Sequence, residues 1–203
     1  MDIKRPRLTW VPRRQVLIPG EMVDDRIISL AEEVDQLVPR DGQPLKIVSI
    51  ASGGVPFAVD LIKHLHPNFH HATIKTASYG DKETGEEVRL EHDGVRSVQG
   101  HRVLLVDDIG DRRRTLDFAS RYMTLRGATD VKTCVLLNKP DRKEVDVPLD
   151  FVGFNIKDEW VWGRGLNAGG EFDEETRNDY DVCYFGDSPA TSPLYAVPSS
   201  FPQ

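Results

Sequence analysis

The sequence predicts an α/β domain with a mainly parallel sheet flanked by helices, and a small hood made from the chain ends. Short continuous apolar runs at 46–51, 103–106 and 131–137 alternate with stretches of helical spacing, as expected of strands buried on both faces and crossed by helices. Two of the runs end abruptly in loop chemistry: Ser52-Gly53-Gly54 after the first, and the charged span 107–114 after the second. In open α/β sheets ligand loops collect at the C-terminal ends of the strands, so function is sought there.

Length and composition bound the problem. With 203 residues and 39% hydrophobic content the chain has material for one well-cored domain and too little for two. One domain is expected over 1–185. The span 186–203 is rich in Ser and Pro, has no helix or strand period, and reads as a tail. A formal net charge of -7 argues against a non-specific nucleic-acid or membrane surface. No secretory apolar region opens the sequence and no apolar run is long enough to span a bilayer. Cys134 and Cys183 lie in apolar surroundings without metal-ligand spacing, so buried free thiols in a reducing cytoplasm are expected.

Taken in order, 1–19 carries Arg, Pro and a short apolar patch at 16–18, and is expected to lie across the surface. An amphipathic helix follows over 21–38, with Val23, Ile27, Ile28, Leu30, Ala31, Val34 and Leu37 as its buried stripe. After the strand at 46–51 and the Gly-Gly turn comes a helix over 56–65, then a strand over 72–77. Ser78-Tyr79-Gly80 and the polar span 81–87 cannot build a core and read as a mobile hairpin or lid, with 88–90 returning. The run 103–106 is expected to end as a strand at Asp107 and Asp108. Beyond the turn, Leu116, Phe118, Ala119, Tyr122, Met123 and Leu125 recur at helical spacing up to Gly127, a C-terminal stop. Strands at 131–137, 151–154 and 182–185 complete the list, with a basic loop at 140–143.

The span 107–116 concentrates chemistry. A helix N-terminus after a parallel strand presents unpaired N–H groups and partial positive charge to an anion such as phosphate. The carboxylates of Asp107 and Asp108 suit ribose hydroxyls or a hard cation. Asp111 is placed to take a proton or to stabilise positive charge on a sugar. A polar strand end with Asp111 as a helix cap accounts for the same residues. Gly53 and Gly54 let backbone amides approach a ligand closely, or serve as plain turn residues.

The run Val-Asp-Asp-Ile-Gly-Asp-Arg-Arg-Arg-Thr-Leu at 106–116 resembles the phosphoribosyl pyrophosphate signature of type I phosphoribosyltransferases. Their signature is an apolar strand, two acids, two residues, a third Asp, Thr-Gly-x-Thr and a helix. By that resemblance Asp107 and Asp108 hold the ribose, Asp111 stands where the purine enzymes place their proposed general base, and Thr115 contacts phosphate. Arg112 and Arg113 replace the family's Thr-Gly, and Arg114 follows them. Arginine can bind phosphate bidentately, whereas glycine allows closer approach.

Further matches follow in order along the chain and are similar to hypoxanthine-guanine phosphoribosyltransferases. Ser52-Gly53-Gly54 resembles their pyrophosphate loop, with Ser52 in place of its Lys; a cis peptide occurs in that loop in the family. Ser78 and Tyr79 resemble the Ser-Tyr of their closing loop. Lys139 matches the Lys that meets the exocyclic oxygen of a 6-oxopurine. Trp160 and Val161 match the base-stacking aromatic and the residue that reads the purine edge, and a flat heterocycle suits an aromatic platform. Gly165-Leu166-Asn167 matches a Gly/Ala-Leu-Asp that helps hold magnesium and pyrophosphate, with Asn167 lacking the charge. Arg177 matches an Arg that contacts pyrophosphate.

The resemblance covers roughly 18–185 and implies the type I phosphoribosyltransferase fold. It also implies phosphoribosyl transfer from phosphoribosyl pyrophosphate to a 6-oxopurine such as hypoxanthine or guanine, with Mg2+ at Asp107, Asp108 and Asn167, and a homo-oligomer. The replacements at Ser52, Arg112, Arg113 and Asn167 fall mostly on the donor side. They leave open a catalytically reduced protein that binds a nucleotide or base, or a transferase with an altered donor or base.

Overall fold

The protein was analysed as a computed structural model, which describes residues 13–40, 42–79, 87–168, 176–186 and 195–196. In order these form β1 (Arg14–Ile18), α1 (Gly20–Asp35), β2 (Leu45–Ala51), α2 (Gly54–Ile62), β3 (Phe69–Tyr79), β4 (Glu87–Asp93) and β5 (Arg102–Gly110). Then come α3 (Arg114–Leu125), β6 (Asp130–Asn138), a 3-10 turn (Pro140–Arg142), β7 (Phe151–Ile156), β8 (Val161–Trp162), β9 (Val182–Phe185) and β10 (Tyr195–Ala196).

The main sheet has seven strands in the order β10-β7-β6-β5-β2-β3-β4. Its centre, from β3 to β7, is parallel, and the two edge pairings, β3 with β4 and β7 with β10, are antiparallel. The expected α/β class with a mainly parallel sheet is therefore the observed one. The continuous apolar run of β5 follows from burial on both faces. Leu104 and Val106 join the core beneath α1 and α2, while Val103 and Leu105 join the core beneath α3. α3 stops at Gly127, whose φ of +87° suits glycine, and the chain turns with Ala128 N–H donating to the Met123 carbonyl at 3.1 Å. Ile28, assigned to the buried stripe of α1, is 43% exposed, whereas Val23, Ile27, Leu30, Ala31 and Val34 are buried as expected. Cys134 and Cys183 are buried free thiols, and burial pushes both well above the ordinary thiol range.

Three expectations need correction. Residues 14–18 do not merely cross the surface: they form β1, and Leu17 and Ile18 are buried. Residues 195–196, expected in a tail without strand, pair as β10 with Ile156 and Asn155 of β7. β5 does not end at Asp107. It runs on to Gly110 because β6 keeps pairing with it, as far as Gly110 opposite Asn138, after its pairing with β2 has ended at Val106 opposite Ser49. The two acids thus sit on a strand whose other side is open.

β1, β9 and β8 form the hood, an antiparallel sheet of three strands in that order. Buried charges fasten it to α1. Arg14 donates from Nε to Asp179 Oδ2 at 2.9 Å and from Nη2 to Asp181 Oδ2 at 2.8 Å, and Asp181 Oδ1 accepts the Gly20 N–H at 2.8 Å. Arg164 reaches the carbonyls of Tyr180 and Gly20 and pairs with Asp24 Oδ1 at 2.8 Å. Asp179 and Asp181 are both buried, so an unpaired carboxylate there is expensive. Arg14→Met is expected to lower unfolding free energy by about 3 kcal/mol in urea denaturation. A loss below about 1 kcal/mol, the scale of exposed pairs, would contradict this role.

Candidate active site

The crevice opens where β2 and β5 part. The apolar run of β2 ends at Ala51, a cis peptide joins Ala51 to Ser52, and α2 begins two residues later. Gly53 lies against the carboxylate of Asp108, and a Cβ at that position would overlap it. Asp108 would have to turn aside for a side chain at 53, and a Cβ at Gly54 would meet the β5 backbone at Val106 O, 2.8 Å, and Asp107 Cα, 2.9 Å, so the close approach of α2 to β5 calls for glycine there.

Asp107 is buried and its Oδ1 accepts the backbone N–H of Asp108 at 3.1 Å. Burial, and then the like charge of Asp108, holds the Asp107 carboxyl well above the usual carboxylate range. Burial also raises Asp108, opposed by its hydrogen bond with Asp107 and by the positive charge of Arg177. Two crowded carboxyl groups at a strand end form a site prepared for hydroxyl donors or for positive charge.

Two cavities meet at this pair. The first, about 320 Å³, is lined by Gly53, Thr76, Ser78, Asp107 and Asp108 and by the loop from Asp111 to Thr115 ahead of α3. The second, about 370 Å³, is lined by Ser52, Lys139, Trp160, Val161, Asn167 and Arg177. Gly53, Asp108, Ile109 and Asp111 line both, so the cavities are two arms of one crevice.

The second arm is built by β6, β8 and the hood loops. Lys139 follows β6, is buried rather than solvated, and donates from Nζ to Asp158 Oδ1 at 3.3 Å. Trp160 is 64% exposed, not packed in the core, and its indole N–H donates to the Ala168 carbonyl at 2.7 Å. That bond fixes a ring whose face remains open. Val161 is buried beside it. Arg177 Nη1 donates to the Gly165 carbonyl at 2.6 Å while Gly165 N–H donates to the Arg177 carbonyl at 3.0 Å. The loop carrying Asn167 and the segment carrying Arg177 are thereby tied together.

The first arm differs from what the loop sequence led us to expect of its arginines. Arg113 takes the left-handed conformation, φ 64°, as the N-cap of α3. Its guanidinium donates to the Val147 carbonyl at 3.1 Å and to Asn138 Oδ1 at 3.2 Å. The side chain expected to grip phosphate is thus engaged by neighbouring protein groups. Arg114 Nε donates to Glu144 Oε2 at 2.6 Å, and Arg112 Nε lies 3.7 Å from Glu144 Oε1. Thr115 sits in the first turn of α3 and lines the cavity. Ser78 and Tyr79, expected in a loop, are the last residues of β3, opposite Val88 and Glu87 of β4. The polar span that follows them, 80–86, lies outside the described residues.

The structure therefore brings together Ser52, Gly53, Asp107, Asp108, Asp111, Thr115, Lys139, Trp160, Val161, Asn167 and Arg177 around one crevice. Sequence reasoning gave no role to Arg142 and Asp158. Arg142 Nε donates to Asp111 Oδ1 at 3.0 Å and its Nη1 to Asp158 Oδ2 at 3.3 Å. The available signal was charge alternation among 111, 139, 142 and 158, which has no sequence periodicity because three different loops carry it.

A family model described as phosphoribosyl transferase domain matches residues 19–168. The chain is 32% identical over 154 residues to the hypoxanthine phosphoribosyltransferase of Salmonella typhimurium, covering 75% of this chain and 86% of that one. It is 32% identical over 178 residues to the hypoxanthine-guanine phosphoribosyltransferase of Mycobacterium bovis, covering 85% of each. Among solved structures, the Trypanosoma cruzi hypoxanthine phosphoribosyltransferase in complex with the product IMP aligns with a TM-score of 0.76 at 28% identity, over 90% of this chain and 98% of that one. The chain belongs to the phosphoribosyltransferase family, within its hypoxanthine-guanine group.

Two stability predictions follow from the site. At position 113, both Arg113→Gly and Arg113→Ala lose the two side-chain hydrogen bonds, but only alanine keeps the cost of positive φ. Chemical denaturation is expected to find the glycine variant more stable than the alanine variant by about 1 kcal/mol; the reverse order would contradict the left-handed backbone.

At Asp107 the folded state binds a proton more tightly than the unfolded chain does. Stability is therefore lost as pH rises from the ordinary carboxylate value of 3.8 through the raised folded value. Asp107→Asn removes that cost and is expected to raise Tm by about 3 °C near about pH 8, with little change near about pH 4. Equal shifts at both would contradict the raised carboxyl.

Proposed function

We propose that this protein transfers the phosphoribosyl group of phosphoribosyl pyrophosphate to a 6-oxopurine base such as hypoxanthine or guanine, releasing pyrophosphate. The observation that carries the proposal is the two-armed crevice. One arm has the helix N-terminus and the paired acids that suit a 5′-phosphate and ribose. The other has an open indole face, a buried lysine and an arginine. The arms meet at Asp108 and Asp111, where the sugar and base would be joined. The family membership and the names of the relatives support the same reading.

In the donor arm the backbone N–H groups of the loop ahead of α3 and the Thr115 hydroxyl bind the 5′-phosphate, and Asp107 and Asp108 accept from the ribose hydroxyls. Arg113 contributes its backbone, since its guanidinium is engaged elsewhere. Arg112 and Arg114 add positive charge at the rim, shared with Glu144. Ser52, Gly53 and Arg177 receive the pyrophosphate. Ser78 lines the first arm and Tyr79 follows it at the end of β3; we assign the pair to flank the donor and exclude water from it. In the base arm Trp160 stacks on the purine, Lys139 donates to the exocyclic oxygen and Val161 presents its backbone to the ring edge.

Bond making at the ribose is balanced by proton movement at the base. Purine N9 forms the bond to ribose C1 as the bond from C1 to the pyrophosphate oxygen breaks, and pyrophosphate leaves with that electron pair. The N7–H bond breaks, its electrons return to the ring, and the proton passes to the carboxylate of Asp111.

The donor set at Asp107, Asp108 and Asn167 fits Mg2+: two crowded carboxyl groups and a neutral side-chain oxygen, all on the crevice wall. The chemistry such an ion supplies is charge neutralisation on the pyrophosphate. With that activity we place the protein as a cytoplasmic purine-salvage enzyme acting as a homo-oligomer, the phosphoribosyltransferase names of its relatives supporting the transfer itself. No described helix is long and apolar enough to cross a membrane.

Glu144, placed against Arg112 and Arg114 beside the donor loop, favours a second reading in which nucleotide is bound without turnover. A Mg2+-dependent assay with phosphoribosyl pyrophosphate and a panel of purines, following pyrophosphate and new nucleotide, separates the two. Nucleotide formation is expected with hypoxanthine or guanine, and Asp111→Asn is expected to lower kcat about 100-fold. Absence of turnover by folded protein that still binds a nucleoside monophosphate would overturn transfer in favour of binding alone.

A further inference from the structure

Four charged side chains form a continuous line along the base arm. Asp111 accepts from Arg142, Arg142 also donates to Asp158, and Asp158 also accepts from Lys139, with separations of 3.0, 3.3 and 3.3 Å. Acid and base alternate, so each inner member is shared: Arg142 by two carboxylates, Asp158 by two cations. The outer members are the groups that the purine meets under the proposed function, the proton acceptor Asp111 and the oxygen donor Lys139.

Resting on that reading, we propose that Arg142 and Asp158 are positioning residues that couple recognition of the exocyclic oxygen by Lys139 to release of Asp111 as the proton acceptor. With no base bound, the Arg142 N–H occupies an oxygen of Asp111 that would otherwise accept the purine proton. When Lys139 turns its ammonium from Asp158 to the purine oxygen, Asp158 has a single cation left to pair with. Arg142 then moves wholly onto Asp158, where its planar fork can pair with both oxygens. Asp111, no longer shared with Arg142, is then the better acceptor for the proton of N7, whose bonding electrons return to the ring. The atoms involved permit this exchange. The Arg142 and Asp158 side chains are 38% and 51% exposed, so their pairings are weak enough to trade, whereas Lys139, at 8%, has little water to replace a lost partner. Asp111 first, and Asp158 after it, hold the Arg142 guanidinium above its ordinary value, so it stays a cation throughout.

A consequence is that a base without the exocyclic oxygen leaves Lys139 on Asp158 and Arg142 on Asp111. It binds and stacks, but its proton meets a carboxylate still shared with Arg142, a poorer acceptor. Selection for 6-oxopurines then appears in kcat as well as in KM.

The test compares hypoxanthine with unsubstituted purine as acceptors, using the full-length wild-type enzyme, Arg142→Met, Asp158→Asn and the double variant. Asp158→Asn is expected to lower kcat for hypoxanthine about tenfold with KM for phosphoribosyl pyrophosphate unchanged, because Arg142 then has no competing carboxylate. Arg142→Met is expected to raise kcat with unsubstituted purine and so to narrow the kcat ratio of the two bases about tenfold; Arg142→Lys, which keeps the cation, is expected to restore much of the ratio. In the Arg142→Met background Asp158→Asn is expected to have no further effect on kcat, a coupling that independent structural roles do not produce. Additive effects of the two substitutions, or effects confined to KM, would overturn the relay. Lys139→Met distinguishes failure of the relay from failure of the base-pocket reading. If hypoxanthine is still preferred without Lys139, both fall; if the preference is lost while Arg142 and Asp158 act additively, the relay alone falls.

Discussion

Asp107 and Asp108 stand next to each other on β5, just past the point where β2 turns away and β6 alone continues the ladder. Hydrogen bonding to β6 fixes the backbone there, while the open side lets the carboxyl groups face the crevice. Packing them so closely raises the energy of the charged pair, and the fold accepts this because a ligand with hydroxyls or positive charge can relieve it. Much of the surroundings follows from the pair. Gly53 brings its backbone against the Asp108 carboxylate and Gly54 against the β5 backbone at Asp107, and Arg177 is held by Gly165 near enough for Asp108 to feel its charge. The hood, anchored by Arg14 and Arg164, keeps that arrangement over the sheet.

What the chain disclosed in advance had clear physical causes. The strands of the central sheet are apolar on both faces, so 103–106 and 131–137 stood out as unbroken runs, and α3 showed its spacing because it has one dry face. Lys139 and Trp160 were legible only through order and resemblance, since neither the burial of the lysine nor the exposure of the indole is written in the local sequence. β1 escaped notice because a five-residue strand in a three-stranded sheet has too little pattern, and its partner β9 lies far along the chain. The extension of β5 through two acids was equally hidden: pairing with β6 overrides the poor strand preference of aspartate. Arg142 and Asp158 come from separate loops, and only the tertiary fold makes them neighbours.

The donor loop shows how a replacement can change a residue's task without emptying the site. Glycine at position 113 would supply only backbone freedom. Arginine there adopts the same left-handed region, and its long side chain closes off polar groups of β6 and of the segment before β7. Asn138 uses its other half to donate to Asn155 of β7 at 2.7 Å, so loop, β6 and β7 are joined by side chains as well as by ladders. Glu144 plays a related part outside, pairing with the partly exposed Arg112 and Arg114 and so setting the charge that an arriving phosphate meets. The loop has exchanged compactness for cross-links.

The margins of the main sheet bear on a different matter, how its end strands are kept from pairing with foreign strands. A strand at the end of a sheet offers unpaired N–H and C=O groups to any other extended chain. At one margin that invitation is partly withdrawn by Tyr195 and Ala196, which take up ladder positions opposite Ile156 and Asn155. At the other, β4 carries Glu87, Arg89, Glu91 and Asp93 at alternate positions, with Glu87 paired to Arg89, Glu91 to Lys75 and Asp93 to Arg126. A foreign strand would have to settle against that charged row before gaining a single ladder bond. The short β10 and the charged β4 thus guard the two edges of the main sheet against unwanted strand addition, a duty separate from chemistry and spread across opposite flanks of that sheet.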